Sequence, residues 1–191
     1  MRNLHLILVL ATSLASLANV RAAPADLPET GQVICTNATG AVIACTGTGQ
    51  DGDAKAGIAW PSPRFVVGAG TEADCVTDQL TGLMWVRAPD SITTTWSNAL
   101  ASANGLTLCG FSDWRLPNVN ELESLVNSEV ANQAIFLNTQ GFSGVAANYY
   151  WSSSSYALNG AAAWFVDMFS GYMDVNIKVV SHYVWPVRAG L

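Results

Sequence analysis

The apolar positions of this chain change their period along its length, and each period predicts a different element. From Leu4 to about Leu17 the run is nearly continuous and has no polar face. Thr81-Gly82-Leu83-Met84-Trp85-Val86 reads as a turn entering a buried strand. Trp96, Ala99, Leu100 and Ala103 then fall at i, i+3, i+4 and i+7, which predicts a short helix with Thr95 before it and Asn104-Gly105 ending it. A second helix starts at Asn118. Its side chain and that of Glu121, three residues on, form a capping-box pattern, Pro117 bars the residue ahead of it from the helical region, and Leu122, Leu125 and Val126 supply an apolar stripe. After Gly144 the period becomes two. Tyr149 to Ser154 is one predicted strand and Ala163 to Phe169 another. Tyr172, Asp174, Asn176 and Lys178 alternate with Met173, Val175, Ile177 and Val179, which predicts one wet and one buried face. Tyr183, Trp185 and Val187 make a last strand, with Pro186 confining it to an edge or to its start. Two short helices set among strands, with no internal repeat, predict an α+β domain with antiparallel sheet.

The first apolar run belongs to export rather than to the fold. Arg2 supplies a positive start, Thr12, Ser13, Ser16 and Asn19 interrupt the run, and Val20-Arg21-Ala22 resembles a cleavage site. Residues 1–22 are therefore expected to be a signal peptide. With no Cys before Cys35, a lipid anchor at the cut is not expected, and no membrane insertion is expected after cleavage. Residues 23–63 form a Gly- and Thr-rich leader, and the compact domain is expected over 64–191, from Arg64-Phe65-Val66-Val67 onward. Cys35, Cys45, Cys75 and Cys109 all follow the predicted cut, so disulfides are the default. Cys35 and Cys45 bracket the short turn Thr36–Gly40, as a hairpin staple would, which leaves Cys75 with Cys109. The spacings lack a paired C-x-x-C, so no zinc site is expected. The expected location is secreted, periplasmic or cell-surface.

Charge narrows the partners. Half the residues are hydrophobic, which excludes a disordered acidic tail, and only 12% are charged. The net charge is −6; with the first 22 residues removed, six basic side chains stand against 14 acidic ones, a net of −8. No nucleic-acid partner is expected, and a cationic surface for polyanions is poorly supported.

Little in the sequence looks like a titrating active site. Ser152 to Ser155 lack the G-x-S-x-G frame, and His182 is the only His after the predicted cut. Asp51-Gly52-Asp53 resembles part of a calcium loop, but the twelfth position from Asp51 is Ser62 rather than Glu, so a turn is favoured and calcium at Asp51 and Asp53 stays open. Glu121 and Glu123 are explained by capping and exposure. No catalytic residue, metal or cofactor is expected. Seven Trp instead point to contact, with most of them expected in the core. Aromatic residues interleave with Asp and Asn late in the chain. Trp164, Asp167, Phe169, Tyr172, Asp174, Asn176 and Tyr183 are the expected ligand-binding residues, a composition like that of a paratope. Arg115 and Arg188 are expected to pair with acids or carbonyls inside the fold.

Several blocks together resemble one bacterial family. Thr77-Asp78-Gln79-Leu80-Thr81-Gly82-Leu83-Met84-Trp85 is similar to the opening of the Lcl C-terminal-domain family, long labelled a domain of unknown function. Gly110 to Leu122 matches its "DWRLP-x-x-x-EL" signature, and Tyr150–Ser154, Ala163–Val166 and Val184–Arg188 resemble its closing blocks. The resemblance covers roughly 64–189, and 31–63 looks like a leader common in the family. It implies a C-type-lectin-like fold, of the variant shared with formylglycine-generating enzymes. That oxidase needs two late cysteines, and none follows Cys109, so the activity is expected to be absent. The Glu-Pro-Asn, Gln-Pro-Asp and Trp-Asn-Asp motifs of calcium-dependent sugar binding are missing too. The family's named adhesin is associated with glycosaminoglycans, a ligand that the acidity here disfavours. The expected function is an exported, non-catalytic, adhesin-like module that binds a glycan or protein at the cell surface through its C-terminal sheet and loops, with oligomerisation possible. The alternatives are a surface receptor of the same fold diversified by a retroelement, or a cell-envelope hydrolase.

Overall fold

Four short helices and three antiparallel sheets order the described residues, 27–190, of the computed structural model. The expected signal peptide lies outside them. The leader forms a hairpin of β1 (Cys35–Thr36) and β2 (Val42–Ile43), followed by a single turn of helix, α1 (Asp51–Ala54). The domain opens with β3 (Phe65–Val67), β4 (Cys75–Asp78) and β5 (Leu83–Val86). Helices α2 (Trp96–Asn104), α3 (Val119–Glu123) and α4 (Gln133–Thr139) follow. Strands β6 (Tyr149–Ser155), β7 (Ala162–Asp167) and β8 (Met173–Ile177) form a three-stranded meander, and β9 (Val187–Ala189) returns to β5 to complete a four-stranded sheet in the order β3-β4-β5-β9. That return is close. A Cβ on Gly190 would stand 1.8 Å from the Gly82 carbonyl oxygen, so only glycine fits there.

The meander divides the interior. Tyr150 pairs across from Val166 and Trp151 from Phe165. Because successive strand residues point to opposite faces, Tyr150 and Val166 enter one cluster with Trp85, Trp114, Leu122, Leu137 and Trp185. Trp151, Ala163 and Phe165 enter a second with Ala99, Ala103, Leu116 and Val184. Edge-to-face contacts order the larger cluster, with Trp185 5.7 Å from Trp85 and 5.1 Å from Phe142 between ring centroids.

Local chemistry explains the boundaries. Asn118 Oδ1 accepts from Glu121 N at 2.9 Å, and Glu121 Oε2 accepts from Asn118 N at 2.8 Å, so the capping box starts α3 as its spacing predicts. The same Glu121 carboxylate takes both terminal nitrogens of Arg115, at 2.6 and 2.7 Å. Arg188 holds Asp113 at 2.7 Å and covers the Phe111 ring. Both arginines thus pair with acids, but not with buried ones: Glu121 is half-buried, and Asp113 is exposed. The disulfides join Cys35 to Cys45 and Cys75 to Cys109, the pairing read from the spacing.

Some expectations are corrected. There are four helices, not two. The turn around Asp51-Gly52-Asp53 closes into α1, and Asn132 starts α4 by accepting from Ile135 N. α3 ends at Glu123, so Leu125 and Val126 reach the core from the turns beyond it. The alternation over 172–179 marks no buried face. Met173, Ile177 and Val179 are all exposed on and after β8, an edge strand of the meander, and Val175, across from Trp164, is half-buried. The last strand is shorter than predicted, since Tyr183 and Trp185 precede β9.

The leader docks along the turns after α3. Ser128 N donates to Thr30 O at 2.9 Å, and Glu129 Oε2 accepts from Val33 N and Ile34 N at 2.7 and 3.0 Å. Trp60 Nε1 donates to Glu29 O at 2.7 Å, and the Arg64 guanidinium lies 4.3 Å from the Trp60 ring centroid. Arg64 is buried in a bidentate pair with Asp78 at 2.8 and 2.9 Å. Among the described residues, no helix is long and apolar enough to cross a membrane.

Candidate ligand-binding face on the late sheet

The register of the meander decides which predicted residues can meet. Asp174 pairs across from Phe165, Asn176 from Ala163, and Tyr172 lies two residues before Asp174. These side chains therefore share the face that carries Tyr149 and Phe165. The ring centroid of Tyr149 is 4.7 Å from Phe165 and 6.4 Å from Tyr172. The segment after β8 returns over this face. Thr94 and His182 exchange backbone hydrogen bonds, and Tyr183 N donates to Tyr149 O, which inserts the His182 ring among Trp151 at 4.3 Å, Phe165 at 5.2 Å and Tyr149 at 5.4 Å. Asn176 Nδ2 stands 3.3 Å from His182 Nε2.

The electrostatics follow from this packing. Burial among aromatic rings pushes the His182 pKa below its ordinary value, so the ring is neutral at pH 7 and can accept from the Asn176 amide. Tyr172 donates to the Tyr149 hydroxyl at 3.4 Å. That hydrogen bond, partial desolvation and the nearby Asp167 and Asp174 carboxylates raise the Tyr172 pKa to about 12. Asp174 Oδ1 accepts from Val175 N and Asn176 Oδ1 from Ile177 N, which fixes both side chains against the strand. The result is a packed face in which Phe165 and His182 lie buried, Tyr149 is half-buried and Tyr172 is exposed, with a rim of a phenol, a carboxylate and an amide. Such a face can stack on a flat apolar surface and exchange hydrogen bonds at its margin.

The other expected contacts sit elsewhere. Trp164 pairs across from Val175, so it points to the opposite face of the sheet and meets Tyr156 edge-on at 5.5 Å. Tyr183 packs on Tyr150 at 5.3 Å. Asp167 is only 6% exposed, and its carboxylate accepts from Phe169 N, Ser170 N and Ser170 Oγ, fastening the β7–β8 turn. Phe169 is 53% exposed at that turn, where Gly171, with φ +84°, passes close to Val126. Of the seven expected residues, Tyr172, Asp174 and Asn176 come together, Phe169 flanks them at the end of the hairpin, and Trp164, Asp167 and Tyr183 do not join.

Sequence reasoning left Tyr149, Phe165 and His182 out of the site. Tyr149 and Phe165 carried a usable signal, since a strand read at period two puts them on the face opposite Tyr150 and Val166. His182 carried none, because its place depends on the non-local contact with Thr94. The serines are occupied: Ser152 Oγ donates to Trp164 O, Ser154 Oγ accepts from Val119 N, and Ser155 Oγ accepts from Lys178 Nζ. Asp51 accepts from Thr30 Oγ1, and Asp53 from Gly49 N.

The family model of the Lcl C-terminal domain matches residues 74–188, from just before β4 into β9, and so takes in the whole late face but not the leader. No curated protein matches the chain.

Proposed function

The chain belongs to the Lcl C-terminal domain family, and from that premise we propose that it is an exported, non-catalytic module of C-type-lectin-like fold that binds a glycan or protein ligand at the cell surface. The observation that carries this reading is the late face: exposed Tyr172 and half-buried Tyr149, packed on buried Phe165 and His182, with Asp174 and Asn176 at the rim. Rigid aromatic side chains supply contact area at low entropic cost, and the fixed amide and carboxylate orient what they meet. The two disulfides suit an oxidising compartment.

A catalytic role draws little support from the same residues. The hydroxyls of Ser152, Ser154 and Ser155 are engaged with the fold, and His182 is held in an aromatic cage rather than beside a nucleophile. The test is a glycan and protein-ligand array followed by the Tyr172→Ala/Asp174→Ala double variant. Loss of at least tenfold in affinity for the array ligand is expected, with an unchanged melting temperature. Full retention of binding would move the contact surface off this face.

A further inference from the structure

A cavity of about 520 Å³ lies on the far side of α3 from the late face, at the seam between leader and domain. The leader contributes Leu27, Pro28, Glu29, Thr30 and Trp60; the domain contributes Asn120 and Glu123 of α3, then Ser124, Val126 and Ser128 of the turns that follow. Its volume is that of a small-ligand site. Three features give it a chemical character.

The first is a fixed aromatic wall. Trp60 cannot swing, because its indole N–H is bonded to Glu29 O at 2.7 Å and its ring is covered by the Arg64 guanidinium at 4.3 Å. Arg64 is itself locked by Asp78 and by Ser124 O, the latter at 2.6 Å. The second is a set of polar groups around that wall. Glu29 and Glu123 bring carboxyl groups that form no ion pair with any described residue, and Asn120, Ser124 and Ser128 bring an amide and hydroxyls. The third is sign: among the described residues the lining carries two carboxyl groups and no cation, and Arg64, which covers Trp60, is already paired with Asp78.

A flat apolar wall beside several hydrogen-bond acceptors matches a pyranose ring, which has an apolar C–H face and hydroxyl donors around its edge. Unpaired carboxylates favour an amine and oppose a sulfate or uronate. We propose that this seam is a second binding site, for an uncharged or amino-bearing sugar unit, separate from the late face. Because leader and domain each supply part of the wall, a bound sugar also clamps the two together.

The test uses the purified protein with three probes: the glucosamine disaccharide, cellobiose and a heparin tetrasaccharide. Calorimetry and saturation-transfer NMR should show the first two binding, the glucosamine disaccharide several-fold more tightly, and the heparin fragment not at all. Bound sugar should also slow proteolysis of the leader. Trp60→Leu should weaken binding at least tenfold. Since that change could loosen the leader, Glu123→Gln and Asn120→Ala on the exposed face of α3 serve as variants that leave packing alone. Glu123→Gln should remove the preference for the amino sugar, and Asn120→Ala should weaken both ligands several-fold. No binding of either sugar at millimolar concentration overturns the proposal. So does binding that survives all three variants, or that disappears only in the Tyr172→Ala/Asp174→Ala variant. The last result would place the sugar on the late face and leave the function proposed above intact.

Discussion

Leader and domain carry one disulfide each, and the two staples differ in what surrounds them. Cys75 and Cys109 are buried in the main core beside Trp85 and Trp114. Cys35 is buried too, but outside both apolar clusters, and with Cys45 it closes a two-stranded hairpin whose Val42 is 71% exposed. The domain has two apolar clusters of its own, whereas the leader enters neither. Its order comes from the staple, a few backbone bonds to the turns after α3, and Trp60 seated on Arg64. A crosslink on a core adds to stability that already exists, while a crosslink on a hairpin stands in for a core.

The buried Arg64–Asp78 pair joins these regimes, so breaking it should produce the largest effect. Arg64→Ala leaves the Asp78 carboxylate buried without its partner and removes the platform under Trp60. A loss of about 3–5 kcal/mol is expected for stranding one member of a buried pair. Urea unfolding monitored by circular dichroism checks it. A loss below 1 kcal/mol would mean that the pair is not what couples leader to domain.

Removing the staples one at a time sharpens the contrast. With a sequence separation of 34, the Cys75–Cys109 crosslink is expected to contribute about 3.8 kcal/mol by chain entropy; with a separation of 10, Cys35–Cys45 contributes about 2.7 kcal/mol. The readouts should differ in kind. Cys75→Ala/Cys109→Ala should lower the melting temperature of the whole domain. Cys35→Ala/Cys45→Ala should leave that transition nearly in place and make residues 27–63 sensitive to protease. Equal shifts of the main transition would show that leader and domain unfold as one unit.

The same contrast accounts for what could be read from sequence. Local chemistry was legible. The capping box at Asn118, the hairpin spacing of Cys35 and Cys45, and the period of β6 and β7 each depend on a few neighbouring residues. The α4 helix was overlooked although Asn132, Ala134 and Leu137 mark its cap and buried face. Non-local placement was not legible. The alternation of β8 is real, but nothing in it says that β8 is an edge strand with an uncovered face. Tyr172, Asp174 and Asn176 share a face because they alternate along β8 and the residue before it. Trp164 was added to them by proximity in sequence, and register puts it on the other side of the sheet.

The smallest expected effect probes the second apolar cluster, where His182 packs among Trp151, Phe165 and Tyr149 as an aromatic residue would. Burial lowers its pKa in the folded state, while the unfolded chain keeps the ordinary value of about 6.5. Between the folded value and 6.5 the unfolded state binds more protons, so stability must fall as pH drops through that window and level off below the folded pKa. One proton limits the slope to about 1.4 kcal/mol per pH unit. Glu121 titrates in a separate range. Burial alone would raise its pKa, but the bonds from Arg115 and the Asn118 backbone outweigh that and hold it below the ordinary carboxylate value. Its contribution is present at neutral pH and lost only in stronger acid. His182→Gln should therefore flatten the stability profile just below about pH 6.5, measured by urea unfolding at fixed ionic strength, and leave the carboxylate limb in stronger acid in place. A profile unchanged by the substitution would mean that the imidazole is as easily protonated in its aromatic cage as in water. At mildly acid pH a buried imidazolium would then stand behind the Asp174 carboxylate and reduce the negative charge of the late face.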